Sequence, residues 1–410
     1  MKKFFALLLS LAMVLALVAC GQKDPTPDTP DTPDDPQTKV EYKVAMITDY
    51  GDITDQSFNQ TTYEACKAFA EDNSIEFSYF KPAGDNTADR VAMIEKAVDE
   101  GFNVIVMPGY AFGGAIVEAA PEFPDVKFIA LDVAAGDLLE TAVAKAGESY
   151  DYTPENWDLN KYVDMSNVYC AVYQEELCGY MAGYAAVKLG YKNLGFLGGM
   201  SVPAVVRYGY GFVQGVDAAA ADLGLTDVKL NYIYGGQFFG DADITAVMDT
   251  WYQGGTEVVF ACGGGIYTSA VDAAKKVNAK VIGVDVDQAG VIAKYAGVDG
   301  MTVTSAMKGL YPATYDTLTD VIVNGNWDKY VGKIATLGLV SGTDPEANYV
   351  QIPMGDGTQW SDSFTQDDYK AMVKDMFDGK ITVSNNTSSD VSAADFATVI
   401  TVDDQGSIKG

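Results

Sequence analysis

Short apolar runs alternate with amphipathic segments in the part of the chain that follows residue 40. The runs are rich in Val, Ile, Phe and Met and alternate little with polar residues, which is typical of strands buried on both faces. The predicted strands of this first half occupy 43–48, 75–80, 103–107 and 127–131. The predicted helices between them occupy 57–71, 88–100 and 114–120. This alternation predicts a parallel sheet with helices on both sides.

The same pattern returns after residue 173. The predicted strands of the second half occupy 193–197, 229–234, 257–261 and 280–284. The predicted helices occupy 174–189, 210–223, 243–253 and 268–277. The polar segment 137–167, between the halves, shows no clear period and is expected to form irregular surface insertions. The fold class is therefore predicted to be α/β, with two parallel-sheet units of similar size.

The N-terminus has a different pattern. Lys2 and Lys3 precede an apolar stretch over 4–19, which is short for a membrane-spanning helix and suits a signal peptide. The stretch ends in Leu-Val-Ala-Cys at 17–20, which resembles a lipobox. We therefore expect a signal peptide over 1–19 and a lipid-anchored Cys20. The alternative is a buried helix that happens to end in cysteine.

A polar segment follows Cys20. Residues 21–39 read GQKDPTPDTPDTPDDPQTK, with no Ala, Val, Ile, Leu, Met or aromatic residue. Such a segment cannot bury enough surface to offset the entropy of ordering it. We expect 20–39 to be a tether that holds the folded part away from the bilayer.

Composition excludes several classes of function. The formal net charge of −30 opposes binding to nucleic acid or to anionic lipid. Histidine is absent, which removes the commonest general base and the commonest transition-metal ligand. The remaining cysteines show no zinc-site spacing. Their apolar neighbours favour buried free thiols, although an exported protein could form a disulfide; they are Cys66, Cys170, Cys178 and Cys262.

Several predicted loops follow the carboxyl ends of strands, where ligands bind in open parallel sheets. They contain Gly, Asp, Ser and Asn, and occupy 48–60, 108–114, 198–203, 263–266 and 283–288. Taken singly, each is typical of ordinary turns and helix caps.

Taken together, these motifs resemble the basic membrane protein family. Residues 47–60 read ITDYGDITDQSFNQ, which is similar to the opening motif of that family. Further motifs follow in the family's order, at 179–186, 195–200 with Arg207 and Tyr208, 281–288 and 304–308. The family consists of lipid-anchored, nucleoside-binding proteins that deliver their ligand to ABC importers.

The resemblance implies a two-lobed, type I periplasmic-binding-protein fold with a ligand cleft between the lobes. Three crossovers are expected near Tyr173, Ser305 and Thr336. Lobe one would then comprise 40–173 with 306–335, and lobe two 174–305 with 336–410. The resemblance also implies a monomer on the extracytoplasmic face of the membrane with an ABC permease as its partner. A Gram-positive surface and a periplasm both remain open.

The resemblance implies a role for particular residues at the base of a bound nucleoside. Phe58 and Tyr208 would stack on the two faces of the base, and such stacks are worth about 1–3 kcal/mol each. Asp49 and Asn59 would read its edge, because a carboxylate and an amide together distinguish donors from acceptors. Arg207-Tyr208-Gly209 departs from the family's Arg-Phe-Glu.

The resemblance also implies a sugar site. Asp285 would accept hydrogen bonds from ribose hydroxyls, and Lys308 would donate to them and offset the buried negative charge. Gly264 would let the backbone approach the sugar closely. Asp132, directly after a predicted strand, is a weaker candidate that could simply cap a helix. Which nucleoside is preferred stays open.

Two other functions are weighed against nucleoside capture. An enzyme would need a catalytic group, and Asp285-x-Asp287 could hold a divalent cation, but the chain has no Walker or Gly-x-Ser-x-Gly motif. We therefore expect no catalysis, no metal and no cofactor. The same fold could instead bind a flavin or a sugar-like signal, for uptake or for sensing.

Overall fold

Two largely parallel sheets organise the chain in the computed structural model, which describes residues 41–409. The predicted signal peptide, Cys20 and tether lie outside the described residues. Residues 42–410 form one compact unit. Among residues 41–409, none of the helices has both the length and the apolar character needed to cross a bilayer.

The first sheet has the strand order β2-β1-β3-β4-β5-β11, with every pair parallel. The elements of its continuous part are β1 (Lys43–Ile47), α1 (Phe58–Asn73), β2 (Glu76–Phe80), α2 (Thr87–Asp99), β3 (Val104–Pro108), α3 (Gly113–Ala119), β4 (Lys127–Leu131), α4 (Ala135–Lys145), α5 (Leu159–Tyr162) and β5 (Val168–Tyr173).

The second sheet has the order β13-β7-β6-β8-β9-β10-β12, in which only the short β12 is antiparallel to its neighbour. The elements of its continuous part are α6 (Glu175–Lys188), β6 (Asn193–Gly198), α7 (Pro203–Asp222), β7 (Lys229–Tyr234), α8 (Ala242–Gln253), β8 (Val258–Cys262), α9 (Tyr267–Val277), β9 (Lys280–Asp285), α10 (Ala289–Ala296) and β10 (Thr302–Lys308).

The rest of the chain completes both lobes. Helix α11 packs on α1 in the first lobe, where the Tyr315 hydroxyl donates to Asp72 Oδ2 at 2.8 Å. The remaining elements are α11 (Leu310–Leu318), its π-helical extension (Thr319–Val323), β11 (Lys333–Leu337), β12 (Val350–Gln351), α12 (Gln366–Phe377) and β13 (Thr401–Ser407).

The strand faces explain why both sheets are covered. In β3, Val104 and Val106 pack into one apolar cluster, while Ile105 and Met107 pack into another on the opposite face. Because side chains alternate across a strand, an uninterrupted apolar run requires a core on each side. The predicted α/β class with parallel sheets is confirmed.

The chain passes between the lobes three times. Gln174 N donates to Leu337 O at 2.9 Å, and Gly309 N donates to Tyr349 O at 2.7 Å, so the crossing strands are hydrogen-bonded together. A Cβ on Gly338 would lie 1.6 Å from Gln174 Oε1, so a larger residue there would force the Gln174 side chain to move. Strands β10 and β11 end at residues 308 and 337, somewhat beyond the crossings expected at 305 and 336.

Two local expectations were wrong. The segment 137–167 is not irregular throughout, because α4 covers Ala135–Lys145 and buries Leu138, Leu139, Ala142 and Val143 on one side. Helix α7 begins at Pro203 rather than at 210, since proline fits the first helical position. Arg207 and Tyr208 therefore lie on this helix.

The four cysteines within residues 41–409 are all buried free thiols, as their apolar neighbours indicated. Burial raises the pKa of the Cys66 and Cys170 thiols well above the usual range. We therefore assign these cysteines to packing.

Candidate ligand-binding site

A cavity of about 410 Å³ lies between the two sheets, at the carboxyl ends of their strands. This volume is within the range of small-molecule sites. Residues of both lobes line it. Its wall includes every predicted site residue, namely Asp49, Phe58, Asn59, Asp132, Tyr208, Gly264, Asp285 and Lys308.

The loop after β1 and the start of α1 hold Asn59 in a fixed orientation. Its Nδ2 donates to Asp49 Oδ1 at 3.2 Å and to Asp55 Oδ2 at 3.1 Å. An amide nitrogen has two hydrogens, so these two acceptors settle which end is oxygen. Asn59 is 4% exposed, and its Oδ1 has no hydrogen-bond partner among residues 41–409. The cavity therefore offers an unused, oriented acceptor.

Asp49 is a second acceptor on the same wall. The backbone N–H groups of Tyr50 and Gly51 each donate to its Oδ1 at 2.6 Å. Burial raises the pKa of Asp49, although these bonds and Asn59 act in the opposite direction. Gly109, at φ +125°, makes room, since a Cβ there would lie 3.1 Å from Asp49 Oδ2.

A buried ionic cluster around Lys308 also borders the cavity. Lys308 Nζ lies 2.5 Å from Asp132 Oδ2, 3.4 Å from Glu175 Oε1 and 3.8 Å from Asp285 Oδ1. Burial alone would lower the pKa of the Lys308 ammonium, but Asp132, Asp285 and Glu175 together raise it above its usual range. Arg207 Nε binds Glu175 Oε2 at 2.7 Å. Lys308 therefore remains charged and largely committed to carboxylates.

Asp132 keeps part of its hydrogen-bonding capacity. Burial raises its pKa to about 6, although the Lys308 ammonium acts against this. Its Oδ1 has no hydrogen-bond partner among the described residues. Asp132 directly follows β4 and Asp285 ends β9, at positive φ of 61° and 65°, in the region that Asp tolerates better than most residues. Both conformations bring a carboxylate to the carboxyl edge of a sheet.

Aromatic rings surround Lys308. Its Nζ lies 4.7 Å from the ring centroid of Phe58, 5.4 Å from that of Tyr173 and 5.6 Å from that of Tyr208. Tyr208 is 1% exposed, and its hydroxyl donates to Asp285 Oδ1 at 3.3 Å. Its ring meets Phe260 edge-on at 6.0 Å. Tyr208 is thus held in place mainly by packing and by its bond to Asp285.

Other aromatic residues of the cavity wall were missed by sequence reasoning. They are Tyr50, Tyr110, Phe238 and Phe239. Phe238 packs on backbone, since a Cβ on Gly199 or Gly263 would lie 2.4 or 2.7 Å from its ring. Two adjacent phenylalanines after β7, flanked by glycines at 235–236 and 240, were the available signal.

Ser57 and Glu175 were missed as well. Ser57 precedes Phe58 in the opening motif, and Glu175 is the first residue of α6 after the first crossing. Both residues are fully buried and both contact site residues. Adjacent acidic residues at 175–176 in an otherwise apolar helix were a signal for Glu175.

The structure gives no support for a cation site at Asp285-x-Asp287. Asp285 accepts from Ser57 and Tyr208 inside the cavity, whereas Asp287 is exposed and accepts from Ala289 N at 3.0 Å. Within residues 41–409, no group of His, Cys, Asp and Glu side chains is arranged to hold a metal ion.

Comparison with known sequences identifies the relatives of this chain. The family model Bmp, described as ABC transporter substrate-binding protein PnrA-like, matches residues 42–345. The "ABC transporter nucleoside-binding protein BmpA" of Lactococcus lactis is 25% identical over 389 residues, covering 92% of this chain and 96% of the relative. Basic membrane protein B of Borreliella burgdorferi is 26% identical over 322 residues, covering 76% and 83%.

Comparison with solved structures confirms the predicted two-lobed, periplasmic-binding-protein-like architecture. A solute-binding protein of an ABC transporter from Aeropyrum pernix superposes with a TM-score of 0.59 at 20% identity, covering 83% of this chain and 87% of that one. A similar protein from Conexibacter woesei gives 0.59 at 21% identity, covering 84% and 99%.

Proposed function

This chain belongs to the Bmp family of ABC transporter substrate-binding proteins, and we propose that it captures a nucleoside, with a purine as the base. The observation that carries the proposal is the unused acceptors of the cavity. Oδ1 of Asn59 and Oδ1 of Asp132 are buried without a partner in residues 41–409. A buried polar atom without a partner is costly, so these atoms are expected to accept hydrogen bonds from a ligand.

The acceptors lie near aromatic rings, as a nucleoside requires. Asn59 and Asp49 are held beside each other on the first lobe and offer acceptors to the amino and imino groups of a base. Phe58 from the first lobe and Phe238 from the second both line the cavity. We assign the two stacking faces to these rings, and we assign Tyr208 to holding Asp285, because Tyr208 is packed and hydrogen-bonded to it.

The ionic cluster suits the ribose. Hydroxyl groups both donate and accept, so they match the carboxylates of Asp132 and Asp285 and the ammonium of Lys308. Gly264, at φ +51°, lines the same cavity and presents backbone without a side chain. The base and the sugar would therefore occupy different ends of one cavity.

The remaining parts of the proposal concern anchoring and delivery. We propose that Cys20 is acylated, that the tether carries a monomeric binding unit on the extracytoplasmic face, and that an ABC permease receives the ligand. Two lipoproteins of Pyrococcus species, 26% identical to this chain over 316 and 311 residues, support the anchored location. The proposed role is binding without catalysis.

Thermal unfolding of residues 42–410 tests the ligand. The protein would first be unfolded and refolded to remove carried ligand, then heated with nucleosides, free bases, ribose or riboflavin. A ligand present at about 100 times its Kd adds about 2.7 kcal/mol to the free energy of unfolding. We expect a rise in Tm with purine nucleosides and none with bases or ribose alone. If Tm rises only with riboflavin or with a sugar, the nucleoside proposal is wrong and that compound becomes the candidate ligand.

A further inference from the structure

Ser57 occupies the N-cap of α1 but does not cap it. A serine at this position normally accepts a hydrogen bond from an N–H of the first turn. Here its side chain makes no such bond. The side chain of Asp55 caps the helix instead: its Oδ1 accepts a hydrogen bond from Gln60 N at 3.1 Å, and its Oδ2 accepts one from Asn59 N at 2.9 Å. The hydroxyl of Ser57 is therefore free for another partner.

That partner belongs to the other lobe. Ser57 Oγ donates to Asp285 Oδ2 at 2.5 Å, and Ser57 is 0% exposed. Ser57 begins the first helix of lobe one, whereas Asp285 ends β9 in the sheet of lobe two. The bond therefore spans the cleft directly beside the cavity.

A second hydrogen bond crosses the cleft at the same place. Gln288 Nε2 donates to Gln56 O at 3.1 Å, while Gln288 Oε1 accepts from Val284 N at 3.0 Å. The second contact fixes which end of the amide faces the first lobe. Gly283 makes room, since a Cβ there would lie 2.8 Å from the Gln288 side chain. Gln288, like Ser57, is 0% exposed.

We propose that the Ser57–Asp285 and Gln288–Gln56 hydrogen bonds form a latch that holds the lobes closed over the bound ligand. Ser57 and Gln288 are thus positioning residues. Ser57 orients the carboxylate of Asp285, and Gln288 holds the second lobe against the first. The inference rests on the proposed function only for the choice of ligand.

The latch makes a kinetic prediction. The two bonds hold the cleft shut, so a ligand inside it can leave only after they break, and their loss acts mainly on its escape. A hydrogen bond to a charged acceptor is among the stronger ones, so Ser57→Ala should raise the rate of ligand release about tenfold or more. The association rate should stay within about twofold of that of the wild type.

The test uses the full chain in detergent, with stopped-flow kinetics for a purine nucleoside as probe. The variants are Ser57→Ala, Gln288→Ala and the double variant, which should lose less than the sum of the single losses because both bonds depend on one closed state. Ser57→Cys keeps a weak donor and should give an intermediate release rate. Thr61→Val is the matched control, because the Thr61 hydroxyl bonds within α1, to Ser57 O.

A second measurement does not require a nucleoside. Spin labels on Ala88→Cys and Asp243→Cys, exposed residues in the first turns of α2 and α8, report the distance between the lobes. Ser57→Ala should shift the distance distribution from short towards long. A wild type that never shows the short distance would overturn the latch. So would a Ser57→Ala variant with unchanged release rate and unchanged distances. Failure of every nucleoside to bind, with the distances shifting as expected, would overturn the proposed ligand and leave the latch supported.

Discussion

The ammonium of Lys308 lies 2.5 Å from Oδ2 of Asp132, and this contact joins the two lobes at the floor of the cavity. Lys308 ends β10 in the second sheet, and Asp132 follows β4 in the first. Glu175, at the start of α6 after the first crossing, completes the cluster at 3.4 Å. One buried cation therefore offsets carboxylates that come from both lobes and from the hinge.

Removal of that cation should destabilise the fold. Lys308→Met would leave Asp132, Asp285 and Glu175 buried without their shared partner, and breaking a buried ion pair typically costs about 3–5 kcal/mol. Denaturant unfolding at pH 7 measures the change. Lys380→Met is the control, because Lys380 pairs with Asp375 on the surface and such pairs are worth about 0–1 kcal/mol. If the Lys308 variant is as stable as the control, the charge of Lys308 does not stabilise the buried carboxylates.

Affinity should depend on one ring and one carboxylate. Phe58→Ala removes the ring that we assign to one face of the base, and Asp285→Ala removes a carboxylate that we assign to the sugar. We expect each to weaken nucleoside binding at least tenfold, about 1.4 kcal/mol, while the protein stays folded. Titration calorimetry and thermal unfolding measure the two effects separately. Phe377→Ala, a half-exposed ring on α12, serves as the control. Unchanged affinity in both site variants would contradict the assignment of Phe58 and Asp285 to the ligand site.

The charge of the cavity should exclude phosphates. Its carboxylates belong to Asp49, Asp52, Asp55, Asp132 and Asp285, and its cations to Lys81 and Lys308. Both cations are already paired, Lys81 with Asp52 at 2.8 Å. Juxtaposed like charges cost several kcal/mol, so a nucleoside 5′-monophosphate should bind at least about a hundredfold more weakly than the nucleoside.

Calorimetry with three ligands tests this exclusion. The 5′-O-methyl nucleoside is the neutral control for added size at the same position. If the methyl ether binds as weakly as the phosphate, then lack of space, and not charge, is what weakens the binding of the phosphate. If the phosphate binds as well as the nucleoside, the charge argument is wrong.

Glu176 should make stability depend on pH. Burial raises its pKa to about 7, with the neighbouring Glu175 acting in the same direction, and its Oε2 has no hydrogen-bond partner within residues 41–409. The folded state therefore holds a proton that the unfolded chain loses near pH 4.5. Stability should fall as the pH rises from about 4.5 to about 7 and then level off.

Comparison with Glu176→Gln isolates this effect from other titrating carboxyls. Relative to the variant, the wild type should lose roughly 2–3 kcal/mol between pH 4.5 and pH 8. Denaturant midpoints across that range measure the difference. A constant difference at every pH would mean that Glu176 does not titrate in this window.

Membrane attachment should depend on Cys20. Cys20→Ser removes the thiol that would carry the lipid, so the protein should be released into the medium or remain uncleaved. Fractionation and electrophoretic mobility show which occurs. A processed variant that is retained in the membrane like the wild type would contradict the lipid anchor.

Much of the fold could be predicted from the sequence because buried parallel strands are apolar on both faces. β4 and β7 have the predicted bounds, because each run is short and is followed by a residue typical of turns, Asp132 after β4 and Gly235 after β7. Prediction was weakest for α4, whose apolar residues Leu138, Leu139, Ala142 and Val143 lie within a segment read as polar. After residue 308 the hydrophobic pattern predicted no separate strands or helices, because the strands of this part are added at the edges of sheets that are built from earlier segments.

The candidate site, like the fold, could be predicted only in part from the sequence. By itself the sequence determined which residue types follow the strand ends, and the resemblance selected residues that all line one cavity. Only the tertiary structure decided which side chains meet. Ser57 and Asp285 are 228 positions apart and touch because the crossings fold one sheet edge onto the other. Local sequence fixes backbone conformation through nearby residues, whereas contacts across the cleft depend on packing of the whole chain, which no local pattern encodes.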